Sequence, residues 1–370
     1  MADTSRRCNH ASTSASFTSA TWRARVLHLN SEPEKVAGEF ESLRQSLEKV
    51  VEESRKRLES MKREGGHFEP LQLRPANRLF GQSSYPFREA FLRCTQDVWL
   101  APLEKIAFDK DPESARKHIN DWVEQQTAKR IVNLLPARSV NAGTRLVLVN
   151  ALYFKAAWED DFNPEATKQL PFFVSVETPV KVPTMFRNAH FGYRRQSGYT
   201  AATIPYTGGE LQFLIIIPDS KDGLPALVKS LSGAELTGLS KLDDDREVQL
   251  YLPKFRIASP TMPLEKHLQS LGMNAPFDVP PGSADFSRMG PRDPRERLVL
   301  SDVFHKAFLA LDEHGTEAAA ATAVALGLPG AIKEKPEPVE LRIDHPFLFA
   351  IQHRSSGICL FLGRMSDPRG

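Results

Sequence analysis

The apolar positions of the early chain fall into a helical rhythm. Over residues 33–62, Val36, Phe40, Leu43, Leu47, Val50, Val51, Leu58 and Met61 recur mostly at spacings of three and four, the signature of one face of an α-helix. Gly65 and Gly66 end that pattern. A strand is predicted over 71–80, then a helix opened by Ser84-Tyr85-Pro86 and ending near Val98, and then another helix over 112–131. That last helix has Asp111 as its cap and Pro112 in its first turn, and its stripe of Ala115, Ile119, Trp122 and Val123 predicts one face packed on a sheet. Beyond it the pattern shifts to strand-length apolar runs such as 211–217, broken by short helical segments at 224–231 and 264–271. Strands mixed with segregated helices predict an α+β fold rather than an alternating parallel one, and no segment repeats.

Composition narrows the function classes. At 370 residues and 41% hydrophobic content the chain can bury a large core. Lys+Arg 48 against Asp+Glu 46 leaves a net charge of +2, so neither nucleic acid nor an anionic membrane is expected as a main partner. Along the first helix, Arg44, Lys49, Arg55, Lys56, Arg57, Lys62 and Arg63 alternate with Glu48, Glu52, Glu53, Glu59 and Glu64. That mixture predicts a solvated, ion-paired face and not a polyanion site. Cys8, Cys94 and Cys359 are odd in number and lack metal-ligand spacing, so they read as thiols rather than a disulfide framework. No apolar run approaches the length of a membrane-spanning helix. Residues 1–19 are rich in Ser, Thr and Ala with Arg6 and Arg7 and lack the apolar core of a secretory signal, which predicts a tail over 1–32, disordered or divergent.

Catalytic signatures are missing from the chain. There is no Gly-x-Ser-x-Gly, no phosphate loop and no His-Glu-x-x-His, so an enzyme, a cofactor and a bound metal are not expected. Asp312, Glu313, His314 and Glu317 cluster in sequence, but alternate residues of a strand face opposite ways and only some of the four can converge.

The segment Glu313-His314-Gly315-Thr316-Glu317-Ala318-Ala319-Ala320-Ala321-Thr322 follows a clear strand and leads into a proline-punctuated stretch around Pro329, Pro336 and Pro338. It resembles the hinge of the reactive-centre loop in inhibitory serpins. Five further segments carry the same resemblance: Leu146 to Trp158 is similar to the third central strand of that family, and Leu252-Pro253-Lys254-Phe255 and Ala284-Asp285-Phe286-Ser287 to later motifs. Asp344 to Phe349 with Leu360 to Arg364 resembles the two C-terminal strands. The likeness runs from about Leu71 to Pro368. Residues 1–32 hold nothing like the family's opening N-x-x-F-S-P-x-S motif, which implies a divergent or incomplete N-terminal layer.

The resemblance implies three β-sheets with about eight or nine helices over 33–370, with a reactive-centre loop at about 313–340. It implies a monomeric inhibitor of a serine protease, or of a cysteine protease, in the cytoplasm or outside the cell. A serpin-like binding protein or chaperone without inhibitory action, or an inactive truncated serpin, is the alternative. In such an inhibitor the cleaved loop enters the central sheet as a strand, so one face of the hinge must be small and uncharged. Thr316, Ala318 and Ala320 share one parity and Glu317, Ala319 and Ala321 the other, so Glu317 can stay in solvent. By the same resemblance Asn150 and His305 are hydrogen-bonded where the central strands part, while Trp158 and Lys254 lie at the top of the sheet, with Lys254 pairing Glu313. Counting about sixteen residues from Glu313 puts the scissile bond at Pro329-Gly330, whereas counting back from His345 puts it near Lys335. Leu326, Leu328 and Lys333 are the other candidates.

Overall fold

The computed structural model describes residues 33–63, 71–242, 245–258, 260–291, 293, 295–300, 303–316 and 337–369. The expected tail over 1–32 and residues 317–336 of the expected loop lie outside them. In chain order, α1 (Pro33–Arg63) is followed by β1 (Gln72–Gln82), α2 (Glu89–Asp97), β2 (Leu103–Ile106) and α3 (Pro112–Gln126). Next come β3 (Leu146–Ala157), β4 (Lys168–Ser175), β5 (Thr178–Gln196), β6 (Tyr199–Pro205) and β7 (Leu211–Pro218). The short α4 (Leu224–Ser230) and α5 (Gly233–Gly238) precede β8 (Asp245–Pro253), β9 (Phe255–Ala258), β10 (Met262–Pro263) and α6 (Glu265–Ser270). The remaining strands are β11 (Phe304–His305), β12 (Phe308–Asp312), β13 (Gly315–Thr316), β14 (Val339–Arg342), β15 (Phe347–His353) and β16 (Cys359–Met365). Among the described residues the strands form three sheets, and the fold is α+β.

The chain divides into two compact units, one from the described parts of Met1–Glu48, Arg74–Tyr153 and Ala258–Phe308, the other from those of Lys49–Leu73, Phe154–Ile257 and Leu309–Gly370. In the first, β2, β1 and the opening of β3 lie side by side, β1 and β2 parallel with Leu79 opposite Leu103. The predicted stripe of α3 is seen in the burial of Ala115, Ile119 and Val123, while Trp122 is half-buried and edge-on to the fully buried Phe80. Asp111 caps the helix by accepting from the Ser114 N–H at 3.0 Å. α3 ends at Gln126 rather than at residue 131. Thr127 Oγ1 donates to the Val123 carbonyl and accepts from the Ile131 N–H, and Ala128 and Lys129 turn left-handed at φ 49° and 61°, which no helix continues through. α2 likewise starts only at Glu89, because residues before it form a turn in which Tyr85 Oη donates to the Glu296 carbonyl.

The second unit holds the eight-stranded sheet, in the order β14-β8-β5-β6-β7-β15-β16, with β4 also paired to β5. β7 reads as an unbroken apolar run because β6 and β15 flank it and every one of its residues is buried. One face of this sheet carries Ala201, Leu214, Ile216, Leu348 and Ala350 against Leu224 and Leu227 of α4. Each such side chain taken out of water contributes about 1.5–3 kcal/mol for Leu-sized groups. The other packs Phe213 flat on Phe349, with Phe255 tilted against both. On α1, Arg44, Lys49, Arg55 and Lys56 each pair with a glutamate three or four residues away, the neutralised face that the charge pattern predicts.

Candidate functional site

The site is built within the second unit, where β3 ends and the hairpin of β12 and β13 turns. Trp158 follows β3 and is 1% exposed. Its indole stacks on Tyr206 with ring centres 4.7 Å apart and 11° between planes, and meets Phe162 and Phe213 edge-on. Indole Nε1–H donates to the Asp312 carbonyl at 3.0 Å and the backbone N–H to the His314 carbonyl at 3.0 Å, so one residue holds both sides of the turn. Thr207 Oγ1 caps the Trp158 carbonyl at 2.7 Å. A large ring whose polar groups are all matched is a rigid floor for whatever lies above it.

Glu313 stands in the turn with 7% of its side chain exposed. Lys254 Nζ donates to its Oε2 at 2.5 Å and Thr167 Oγ1 to its Oε1 at 2.7 Å. Burial works to raise the carboxyl pKa, but the bonds from Lys254 and Thr167 outweigh it and hold Glu313 below the usual carboxylate value. Asp312 and Asp161 are pushed the other way, because burial dominates the hydrogen bonds each receives from His314. Gly315 and Thr316 then run as β13 between β3 and β12, Gly315 opposite Ala157 and Asp312, Thr316 opposite Ala156 and Leu311. Gly315 has φ +138°, and a Cβ there would stand 2.1 Å from the Ala156 carbonyl oxygen. Only glycine passes this point. Thr316 is wholly buried, with Oγ1 2.7 Å from Tyr206 Oη, and burial drives the Tyr206 phenol far above its ordinary pKa despite that bond.

The structure thus brings together Trp158, Lys254, Glu313, Gly315 and Thr316. Asn150 and His305, in the first unit, are a different case. Asn150 Nδ2 donates to Asn77 Oδ1 at 2.5 Å, and His305 is exposed on β11, paired in register with Met262 of β10. Among the described residues no hydrogen bond joins Asn150 to His305, which corrects the implied pairing: the Asn150 amide has its partner on the neighbouring β1, and the His305 side chain turns to solvent. Glu317, Ala318, Ala319, Ala320, Ala321 and Thr322, with Leu326, Leu328, Pro329, Gly330 and Lys333, lie outside the described residues. Sequence reasoning missed Tyr206, Thr167 and Asp161. For Tyr206 a signal was present, since a tyrosine closing a buried strand needs a partner for its hydroxyl. Among the described residues no three His, Cys, Asp or Glu groups form a set able to hold a metal ion.

The described part of the site thus holds a two-residue strand, β13, seated between the longer β3 and β12. The family model described as Serpin (serine protease inhibitor) matches residues 10–368. The chain belongs to the serpin family. This serpin is 39% identical to Serpin B8 of Bos taurus over 301 residues, covering 80% of this chain and 77% of the relative. It is 38% identical to the leukocyte elastase inhibitor of Equus caballus over 308 residues, covering 81% and 78%. Among solved structures, a loop-inserted form of a cleaved ovalbumin mutant superposes with TM-score 0.77 at 26% identity, over 96% of this chain and 88% of that one. The family is one of protease inhibitors, not of enzymes.

Proposed function

We propose that this serpin inhibits a serine protease as a suicide substrate. The serine of the protease attacks a carbonyl in the loop, the amine side leaves, and the acyl-enzyme remains attached to the hinge side. That side then adds to the sheet as a strand between β3 and β12, carrying the protease with it before water can release it. Addition of the cleaved loop is an established serpin transition and a form of strand augmentation. About a dozen inserted residues make a comparable number of backbone hydrogen bonds at about 1 kcal/mol each, enough to drive the step.

The observation that carries this reading is β13 itself: Gly315 and Thr316 already occupy the slot in register with Ala157 and Ala156. The hinge residues 318–321 that would follow are all alanine, which favours continuation. An elastase-type target is supported by the apolar stretch Val324 to Leu328 and by the name of one relative, the leukocyte elastase inhibitor. The cut is assigned within Leu326 to Ile332, since cleavage at Lys333 would leave slack between the inserted strand and the tethered protease.

Incubation with elastase-like, chymotrypsin-like and trypsin-like enzymes, followed by denaturing electrophoresis and mass spectrometry of the released C-terminal peptide, tests both parts. The expected result is a denaturant-stable adduct with an apolar-pocket enzyme. Adducts formed only with trypsin-like enzymes, with the peptide beginning at Glu334, overturn the target assignment. No adduct with any enzyme favours a binding protein without inhibitory action.

A further inference from the structure

We propose that His314, through Asp161, is a positioning residue for loop insertion: the pair pins the turn from which β13 starts, with a grip that depends on pH. This rests on the loop-insertion reading above and adds a control to the same site. His314 Nδ1 lies 2.9 Å from Asp161 Oδ2, with the two side chains 19% and 26% exposed. The His314 N–H donates to Asp312 Oδ1 at 2.9 Å, and its carbonyl accepts from the Trp158 N–H at 3.0 Å. Three ties from three places, the end of β12, the residue after β3 and the segment carrying Asp161, therefore converge on the residue just before the slot. Gly315 is the next residue and opens β13. If His314 swings outward it draws that first strand residue with it; if it is held, the growing strand has a fixed start.

The surroundings decide what a proton does here. Asp312 faces the turn from the end of β12 and Asp161 from the irregular segment after Trp158. The nearby cations are engaged elsewhere: Lys254 by Glu313, and Arg187 of β5 by Asp160, though the Arg187 charge also reaches Asp161. An imidazole that gains a proton therefore meets a carboxylate partner directly, at Asp161. Histidine is the side chain whose charge ordinarily changes between pH 5 and 8. A hydrogen bond between charged groups is about twice as strong as a neutral one, so the pin is tighter with the imidazole protonated than with it neutral.

Amide hydrogen exchange of Gly315 and Thr316 in the intact chain reads the pin directly, without a protease. After correction for intrinsic exchange, protection is expected to rise about fivefold from pH 8 to pH 5.5 in the parent. His314→Gln, and independently Asp161→Asn should either variant misfold, are expected to abolish that rise. Protection equal to the parent's at every pH overturns the proposal, and so does a uniform loss that leaves the pH dependence intact, since that is what a merely structural role gives. Melting of the chain before and after a single nick in the loop reports insertion separately. A nicked parent that melts no higher than the intact chain defeats the insertion reading, and with it the role of His314 in insertion, while the exchange data still report the pin.

Discussion

Replacing Gly315 with alanine should empty the slot between β3 and β12. The new Cβ would stand 2.1 Å from the Ala156 carbonyl oxygen, 2.8 Å from the Ala157 Cα and 3.0 Å from the Trp158 nitrogen. All three are backbone atoms, so no side chain can rotate away. Reaching even 3.0 Å from the carbonyl requires a retreat of about 0.9 Å, which stretches a normal ladder bond of about 2.9 Å beyond hydrogen-bonding range. The bond from Trp158 N–H to the His314 carbonyl and the pairing opposite Ala156 and Ala157 are lost together. Two or three such bonds at about 1 kcal/mol each, with about 1 kcal/mol for a side chain at positive φ, give about 3–4 kcal/mol against occupancy. A two-residue strand has little to set against this. Amide exchange at Thr316 and Trp158, followed by mass spectrometry, should therefore accelerate by at least about a hundredfold relative to the parent. The yield of covalent protease adduct should fall in parallel. Exchange within about threefold of the parent's would refute the reasoning, because it would mean that the slot accepts a Cβ that the geometry forbids.

Three further outcomes are expected. Thr316→Arg should turn the inhibitor into a substrate, since a guanidinium would replace a wholly buried hydroxyl whose partner is the neutral Tyr206 Oη, at a cost of several kcal/mol; an unchanged adduct yield with a protease the parent inhibits would sink the insertion mechanism. Glu313→Gln should flatten stability on the acid side: a carboxyl whose folded pKa is lowered contributes stability that is present above its unfolded value of about 4.3 and is lost as pH falls through the folded one. Asp161 and Asp312, raised by burial, act with the opposite sign as pH rises from about 3.9, so the parent should lose stability more steeply than the variant below about pH 4.3; parallel urea midpoints across that window would contradict this. Asn120→Ala should cost about 1–3 kcal/mol, because it strands the N–H of buried Leu135, which donates to Asn120 Oδ1 at 2.8 Å, while the Leu135 carbonyl loses the Asn120 amide at 3.0 Å but keeps the Arg116 guanidinium at 2.8 Å; a loss below about 0.5 kcal/mol in urea unfolding would show that water replaces it.

Local periodicity carried much of the architecture. The three- and four-residue spacing of α1, the cap and proline that open α3, and the unbroken apolar run of β7 are all properties of a few neighbouring residues, and they follow from backbone geometry whatever lies across the core. Of the expected hinge, Glu313, Gly315 and Thr316 lie among the described residues, whereas the alanine run that suggested it does not. Motif likeness, not periodicity, suggested the pair of Lys254 and Glu313, whose atoms stand 2.5 Å apart. Where each chain segment stops was less legible. α3 ends at Gln126 because Thr127 bonds back to Val123 and two ordinary residues turn left-handed, with no glycine to announce it. The partners at the slot were decided only by tertiary structure. Tyr206 and Thr316 are 110 positions apart and His314 and Asp161 are 153 apart, so no local rhythm can encode their meeting. Asn150 shows the same limit: its amide takes Asn77 because pairing of β1 beside β3 brings that side chain within reach, a fact of sheet order rather than of residue type. Hydrophobic pattern selects which face is buried, but hydrogen-bond partners in the buried region are chosen by register and strand order, which exist only once the sheet has formed.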